Sequence, residues 1–99
     1  MAIVEISIVP LGTKTPSLSS YVARAVKVLR QEKDVKYEIT PMGTIIEGDL
    51  DRILAVAKKM HEGVFGEGVV RVLTTIKIDD RRDKVQGMRD KVDSVKRKL

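Results

Sequence analysis

Apolar and polar side chains alternate between Ile3 and Val9, with Val4, Ile6 and Ile8 on one side and Glu5 and Ser7 on the other. A period of two predicts a half-buried strand. Pro10 cannot donate to a ladder and ends it, and Leu11 to Pro16 follows as a loop. From Ser17 to Glu32 the period becomes helical. Leu18, Tyr21, Val22, Ala25, Val28 and Leu29 form one stripe, and Arg24, Lys27 and Arg30 take the wet side. Val35, Tyr37 and Ile39 alternate with Lys36, Glu38 and Thr40 as a second strand. Pro41-Met42-Gly43 makes a hairpin turn, and Thr44 to Glu47 continues as a third strand.

Asp49 or Asp51 suits the start of a second helix over Leu50 to His61, whose stripe is Leu50, Ile53, Leu54, Ala57 and Met60. Gly63, Gly66 and Gly68 then mark a loop. Val69 to Ile78 is the longest strand, with Val70, Val72, Thr74, Ile76 and Ile78 sharing a face. Asp79-Asp80 is expected to cap a third helix from about Arg82 to Lys98, which carries a narrow seam of Val85, Met88, Val92, Val95 and Leu99. The order βαββαβ, with an extra C-terminal helix, predicts one α+β, ferredoxin-like domain with an antiparallel four-stranded sheet. Its two crossover helices should cover Val4, Ile6, Ile8, Tyr37, Ile39, Val70, Val72 and Ile76. The opposite face mixes Glu5, Glu38, Glu47, Arg71 and Lys77 with Val9, Ile45 and Leu73. That mixture suits a sheet face that meets another subunit, as does the seam of the third helix.

The chain has 99 residues, no cysteine and a net charge of +5. Disulfides, thiolate metal sites and a cysteine nucleophile are therefore excluded. Residues 81–99 hold eight of the nineteen Lys and Arg and three of the fourteen acids, so the first 80 residues balance at eleven of each. Positive charge confined to the last segment argues against a broad nucleic-acid surface. No apolar run is long enough to span a bilayer, and a cytoplasmic chain is expected. The absence of asparagine and cysteine, with abundant Lys and Glu, fits a thermophilic source.

No catalytic constellation is visible, and no metal site or cofactor is expected. His61 is the only histidine, at the end of the second helix, where it suits the helix dipole. Acylphosphatases share the topology but as a class need an arginine in the first loop and an asparagine on a strand. This loop offers Lys14, and asparagine is absent. RNA-recognition domains stack bases on strand aromatics, and Tyr37 is the one strand aromatic here.

The most distinctive segment is Ile39-Thr40-Pro41-Met42-Gly43-Thr44-Ile45-Ile46-Glu47-Gly48. With Glu5-Ile6-Ser7-Ile8-Val9-Pro10 at the start and Asp80-Arg81 near the end, it resembles the thiamine-binding-protein family, small tetramers of archaea, bacteria and yeast. The resemblance implies a ferredoxin-like fold, a dimer of dimers, and binding of thiamine or its hydroxymethylpyrimidine half. With no catalytic constellation in the chain, the leading reading is a non-enzymatic, oligomeric carrier or sensor. An aminopyrimidine needs hydrogen-bonding groups at its edge and an apolar slot for its ring. Thr40, Thr44 and Ser20 offer hydroxyls, Glu47 offers a carboxylate for the amine or for a cationic thiazolium, and Ile8 and Pro10 offer ring walls. Alternation puts Thr44 and Glu47 on opposite faces, so both line one pocket only if subunits share it. Glu47 could instead pair with Arg71. Two other functions remain open: an amino-acid-binding regulatory module using Leu11 to Ser17, and a structural scaffold acting through its basic tail.

Overall fold

The computed structural model describes residues 1–66 and 68–99. Its elements run β1 (Ala2–Pro10), α1 (Ser19–Arg30), β2 (Lys36–Thr40), β3 (Gly43–Gly48), α2 (Leu50–Val64), β4 (Val72–Asp80) and α3 (Met88–Lys96). The strands form one antiparallel sheet in the order β2-β3-β1-β4. This is the ferredoxin-like arrangement that the chain order predicted.

β1 lies inside the sheet and fixes the face of every strand residue. Ile6 stands opposite Thr44 on one side and Ile76 on the other, and Val4 opposite Ile46 and Ile78. Even positions of β1, β3 and β4 therefore share the helix side, and odd positions share the open side. Val4, Ile6 and Ile46 are buried there against Ala25 and Leu29 of α1 and Ile53, Val56, Ala57 and Met60 of α2. Arg52 of α2 fastens the α1–β2 connection by bonding Asp34 Oδ1 at 2.9 Å and by pairing with Glu32, which also takes Lys59 at 3.2 Å.

Several boundaries differ from the expected ones. α1 starts at Ser19 rather than Ser17, because Thr15 Oγ1 accepts from Ser17 N–H at 3.3 Å and holds that residue in the loop. α2 has Asp49 as its cap, accepting from Arg52 N–H at 3.1 Å, and runs past His61 to bury Val64. β4 begins at Val72. Val69 turns inward in a bridge to Gly66, and Val70 is left 86% exposed rather than under a helix. Ile39, on the edge strand β2, is 59% exposed, and Ile76, on the edge strand β4, is 40% exposed, each having a neighbouring strand on one side alone.

The third helix departs most. Asp79 and Asp80 belong to β4 and do not cap it. Asp80 pairs with Arg82 at 3.0 Å, and Arg81 pairs with Asp83 at 2.6 Å. The helix starts only at Met88, over the open face of the sheet. Gly87 has no side chain to cap it, and the missing acceptor comes from Glu47 on β3. Glu47 Oε2 takes the Met88 N–H at 2.7 Å, while Asp90 reaches back to Gly87 N–H at 3.0 Å. A Cβ on Gly87 would stand 2.9 Å from that same carboxylate oxygen, so glycine permits the approach. Lys91 pairs with Asp79 as a second tie. The apolar seam is only partly covered by its own chain: Met88 is half-buried, whereas Val92 is 52% and Val95 60% exposed. Among the described residues, no helix is long and apolar enough to cross a membrane.

Two outcomes follow from these contacts. Glu47→Ala should cost about 0.5–2 kcal/mol, the usual worth of a helix cap. Amides of α3 should exchange faster by NMR while those of β1 stay protected, and equal protection in α3 would mean that Glu47 does not hold the helix. Separately, the Arg52 guanidinium holds the Asp34 carboxyl below the usual carboxylate range. A lowered folded pKa stabilises above the unfolded value of about 4 and is lost as pH falls through the folded one. Asp34→Asn should therefore shallow the acid limb of a thermal-melt series, and an unchanged limb would remove the pair from the acid response.

Candidate functional site

The parity set by β1 leaves a gap on the helix side, where the β2–β3 hairpin reaches past the end of the packed core. α1 approaches it with Leu18, Val22 and Ala25, and α2 with Met60. The floor is Ile6, Ile8 and Thr44, and the lip is Pro41 and Met42. The space is about 270 Å³. No Lys, Arg, Asp, Glu or His is among its described lining residues. Val22 is 39% and Met42 83% exposed, so the cleft opens between helix and hairpin.

Gly43 shapes this corner by close approach. A Cβ there would stand 2.9 Å from the Ile6 carbonyl oxygen, so a side chain would push the hairpin off β1. The hairpin is further braced by Thr40, whose hydroxyl donates to Gly43 O at 2.8 Å and accepts from Met42 N–H at 3.3 Å.

Thr44 is different. It is 5% exposed, and among the described residues its hydroxyl makes no hydrogen bond in the chain. No fully enclosed side-chain polar atom of the described residues lacks a partner. The Thr44 oxygen therefore keeps a sliver of access, and the space beside it is the cleft. A nearly buried hydroxyl without a partner is a group prepared to bond something that enters.

Of the six residues singled out from the sequence, the structure brings together Ile8, Thr40 and Thr44. Ser20 is exposed on the first turn of α1 and does not line the cleft, because its helical phase sets it on the side opposite Val22 and Ala25. Pro10 is buried at the far end of β1 opposite Val72 and is not in the lining. Glu47 sits on the open face, opposite Ile3, and is occupied by α3. It does not pair with Arg71, whose segment lies beside Leu11 across β1. The walls Leu18, Val22, Met42 and Met60 went unnoticed in the sequence as site residues. Leu18, Val22 and Met60 were visible as helical stripe, but periodicity cannot say where a stripe has no strand beneath it.

His61 shares a 2.6 Å hydrogen bond, through Nδ1, with Thr74 Oγ1, and its ring meets Phe65 edge-on. It is a strap between α2 and β4 and is not among the cleft residues. Among the described residues, no three His, Cys, Asp or Glu side chains gather as a metal site would require.

The family model for the thiamine-binding proteins matches residues 4–96. The chain belongs to that family. It is 52% identical over 100 residues to a UPF0045 protein of Methanothermobacter thermautotrophicus, covering 100% of both chains. It is 47% identical over 102 residues to the UPF0045 protein YqgV of Bacillus subtilis, covering 100% of this chain and 98% of that one. The crystal structure of MJ1052 from Methanocaldococcus jannaschii superposes with a TM-score of 0.87 at 41% identity, over 96% of this chain and 95% of that one. A Thermotoga maritima protein, TM0486, provisionally named for thiamine biosynthesis or salvage, superposes at 0.78 with 22% identity over 95% and 97%. That last likeness is one of fold.

Thr44→Val tests whether the hydroxyl is idle in the empty protein. The swap keeps the side-chain shape and removes a polar atom that makes no bond, so the melting free energy should stay level or rise by up to about 1 kcal/mol. A loss beyond about 1 kcal/mol would mean that Thr44 serves the fold.

Proposed function

We propose that this thiamine-binding-family chain holds a small aminopyrimidine, thiamine or its hydroxymethylpyrimidine half, in the cleft between the β2–β3 hairpin and α1. It acts as a carrier or sensor without catalysis. The observation that carries this reading is the Thr44 hydroxyl, nearly buried and unbonded at the floor of an uncharged cleft.

Size and lining support a single ring. Pockets for drug-sized ligands start at about 300 Å³, and this one is about 270 Å³. Ile8, Val22 and Met60 offer apolar surface to the faces of a ring, and Thr44 offers a donor or acceptor to its edge. Thr40 contributes by fixing the hairpin that carries Thr44. Among its described lining residues the cleft has no carboxylate for a thiazolium, so in thiamine it is the pyrimidine that enters and the charged ring that stays toward solvent. Family membership and the Thermotoga maritima protein's name favour the same ligand class.

Binding without turnover is favoured by the lining itself. General acid–base chemistry needs a titratable side chain within hydrogen-bond reach of the reacting group, and the described residues that line the cleft include no Asp, Glu, His, Lys, Cys or Tyr. A homo-tetramer remains the proposed assembly. Val92 and Val95 on α3 and Leu73 on the open face are apolar surface that the chain itself leaves bare.

A thermal-shift panel of thiamine, hydroxymethylpyrimidine, amino acids and nucleotides tests the reading. A true ligand at one hundred times its dissociation constant should stabilise by about 2.7 kcal/mol. Calorimetry with Thr44→Val should then show roughly three- to tenfold weaker binding, the worth of one hydrogen bond. A response to amino acids alone would favour the regulatory-module reading. Undiminished pyrimidine binding by Thr44→Val would place the site elsewhere.

A further inference from the structure

The cleft does not end at its mouth. Val22, which borders it, also lines a second hollow of about 370 Å³ on the outer side of α1, over the edge strand β2. Strand parity puts Tyr37 and Ile39 on the helix side, since Tyr37 stands opposite Ile46 and Ile39 opposite Thr44. With Val22 and Val26 they wall a short groove, open to solvent at Ile39. Lys27 and Arg30 line the same groove. They follow Val22 by five and eight residues, so they stand about 7.5 and 12 Å farther along the axis of α1. The groove is apolar where it leaves the cleft and cationic at its far end.

These two cations are uncommitted. Neither makes an ion pair among the described residues. The acids nearest in sequence, Glu32 and Asp34, are taken by Arg52 and Lys59 of α2. Glu38 stands on the open face, opposite Ile45. No Asp or Glu is among the described residues that line the groove. Cations in other hollows come with acids of their own: Arg81 and Arg82 with Asp80 and Asp83, and Lys91 with Asp90 and Asp93. The dipole favours cations in the last turn of a helix. That accounts for Lys27 and Arg30 on α1, but not for an apolar groove that leads to them from the cleft.

We infer that the groove is a phosphate subsite of the cleft, and that the protein takes thiamine monophosphate in preference to thiamine. The pyrimidine lies against Thr44, the thiazolium at Val22, and the phosphate between Lys27 and Arg30. The inference rests on the aminopyrimidine reading of the cleft and extends it. A phosphate monoester carries close to two negative charges at neutral pH, and Lys and Arg meet it with charge-assisted hydrogen bonds. Thiamine alone brings only a cation toward Lys27 and Arg30, which repel it. In the monophosphate the thiazolium spaces the anion from the pyrimidine, and the anion offsets its charge. Hydroxymethylpyrimidine phosphate has no such spacer. Its phosphate sits one carbon from the ring and stops short of the two cations.

Calorimetry on the whole chain, with thiamine, hydroxymethylpyrimidine and the monophosphate of each, tests it. The wild type should bind thiamine monophosphate roughly tenfold more tightly than thiamine at low salt, the worth of a charge-assisted hydrogen bond. The margin should shrink as salt screens the exposed cations. Lys27→Gln with Arg30→Gln should bring the two affinities together, and Lys27→Arg should keep them apart. Phosphorylation should help hydroxymethylpyrimidine less than it helps thiamine. If the double variant fails to fold, the salt dependence and the hydroxymethylpyrimidine pair decide. Equal affinity of the wild type for thiamine and its monophosphate, an undiminished margin in the double variant, or an equal gain by hydroxymethylpyrimidine would overturn the inference and leave the cleft reading in place. Binding of none of the four would overturn both.

Discussion

Everything in this molecule hangs on the hydrogen-bonded register of β1, which is paired along both edges. It places Thr44 and Ile76 across from Ile6, and Glu47 and Asp79 across from Ile3. One residue of slippage would turn Val4 and Ile6 out of the core and bring Glu5 in. The register is held by the burial of Val4, Ile6 and Ile46, and at one end by Pro10, which has no N–H to offer where the pair with Val72 needs none. Burying side chains of this kind is worth about 1.5–3 kcal/mol each, far more than any surface ion pair in the chain.

The two faces consequently do different work. On the helix side the sheet extends beyond α1 and α2 at the hairpin, and the overhang becomes a cleft with Thr44 at its floor. On the open side Glu47, three residues along the same strand, meets the start of α3. One short strand thus supplies a hydroxyl to one face and a helix cap to the other. The margins are the third region. β2 and β4 are the edge strands, and Ile39, Ile76 and Ile78 are exposed there although they point to the core side.

Strand parity, the α2 stripe and the hairpin were legible in the sequence because each is a local pattern with a strong period. The opposition of Thr44 and Glu47 was legible for the same reason. The start of α3 was not. Asp79-Asp80 looked like a cap, but those residues extend β4, and the group that caps the helix lies 41 positions away on β3. Ser20 and Pro10 were drawn into the site by residue type. The helical phase of Ser20, opposite Val22 and Ala25, and the place of Pro10 at the far end of β1 take them out of it. The cleft walls were in view as helix stripe, yet a stripe signals burial and cannot reveal a missing strand beneath it. The exposure of Val70, which precedes β4, and of Ile39, on the edge strand, depends on where the strand starts and where it sits in the sheet, which alternation does not encode.

The central claim is that the helix side at Thr44 receives the ligand while the open side at Glu47 holds α3. Titrating hydroxymethylpyrimidine or thiamine into isotope-labelled protein and following backbone and methyl shifts addresses both faces in one experiment. The account predicts that the largest changes fall on Ile8, Val22, Thr44 and Met60, with Ile3, Met88 and Val92 still. Changes concentrated on Ile3, Glu47, Met88 and Val92, with the cleft residues silent, would contradict it.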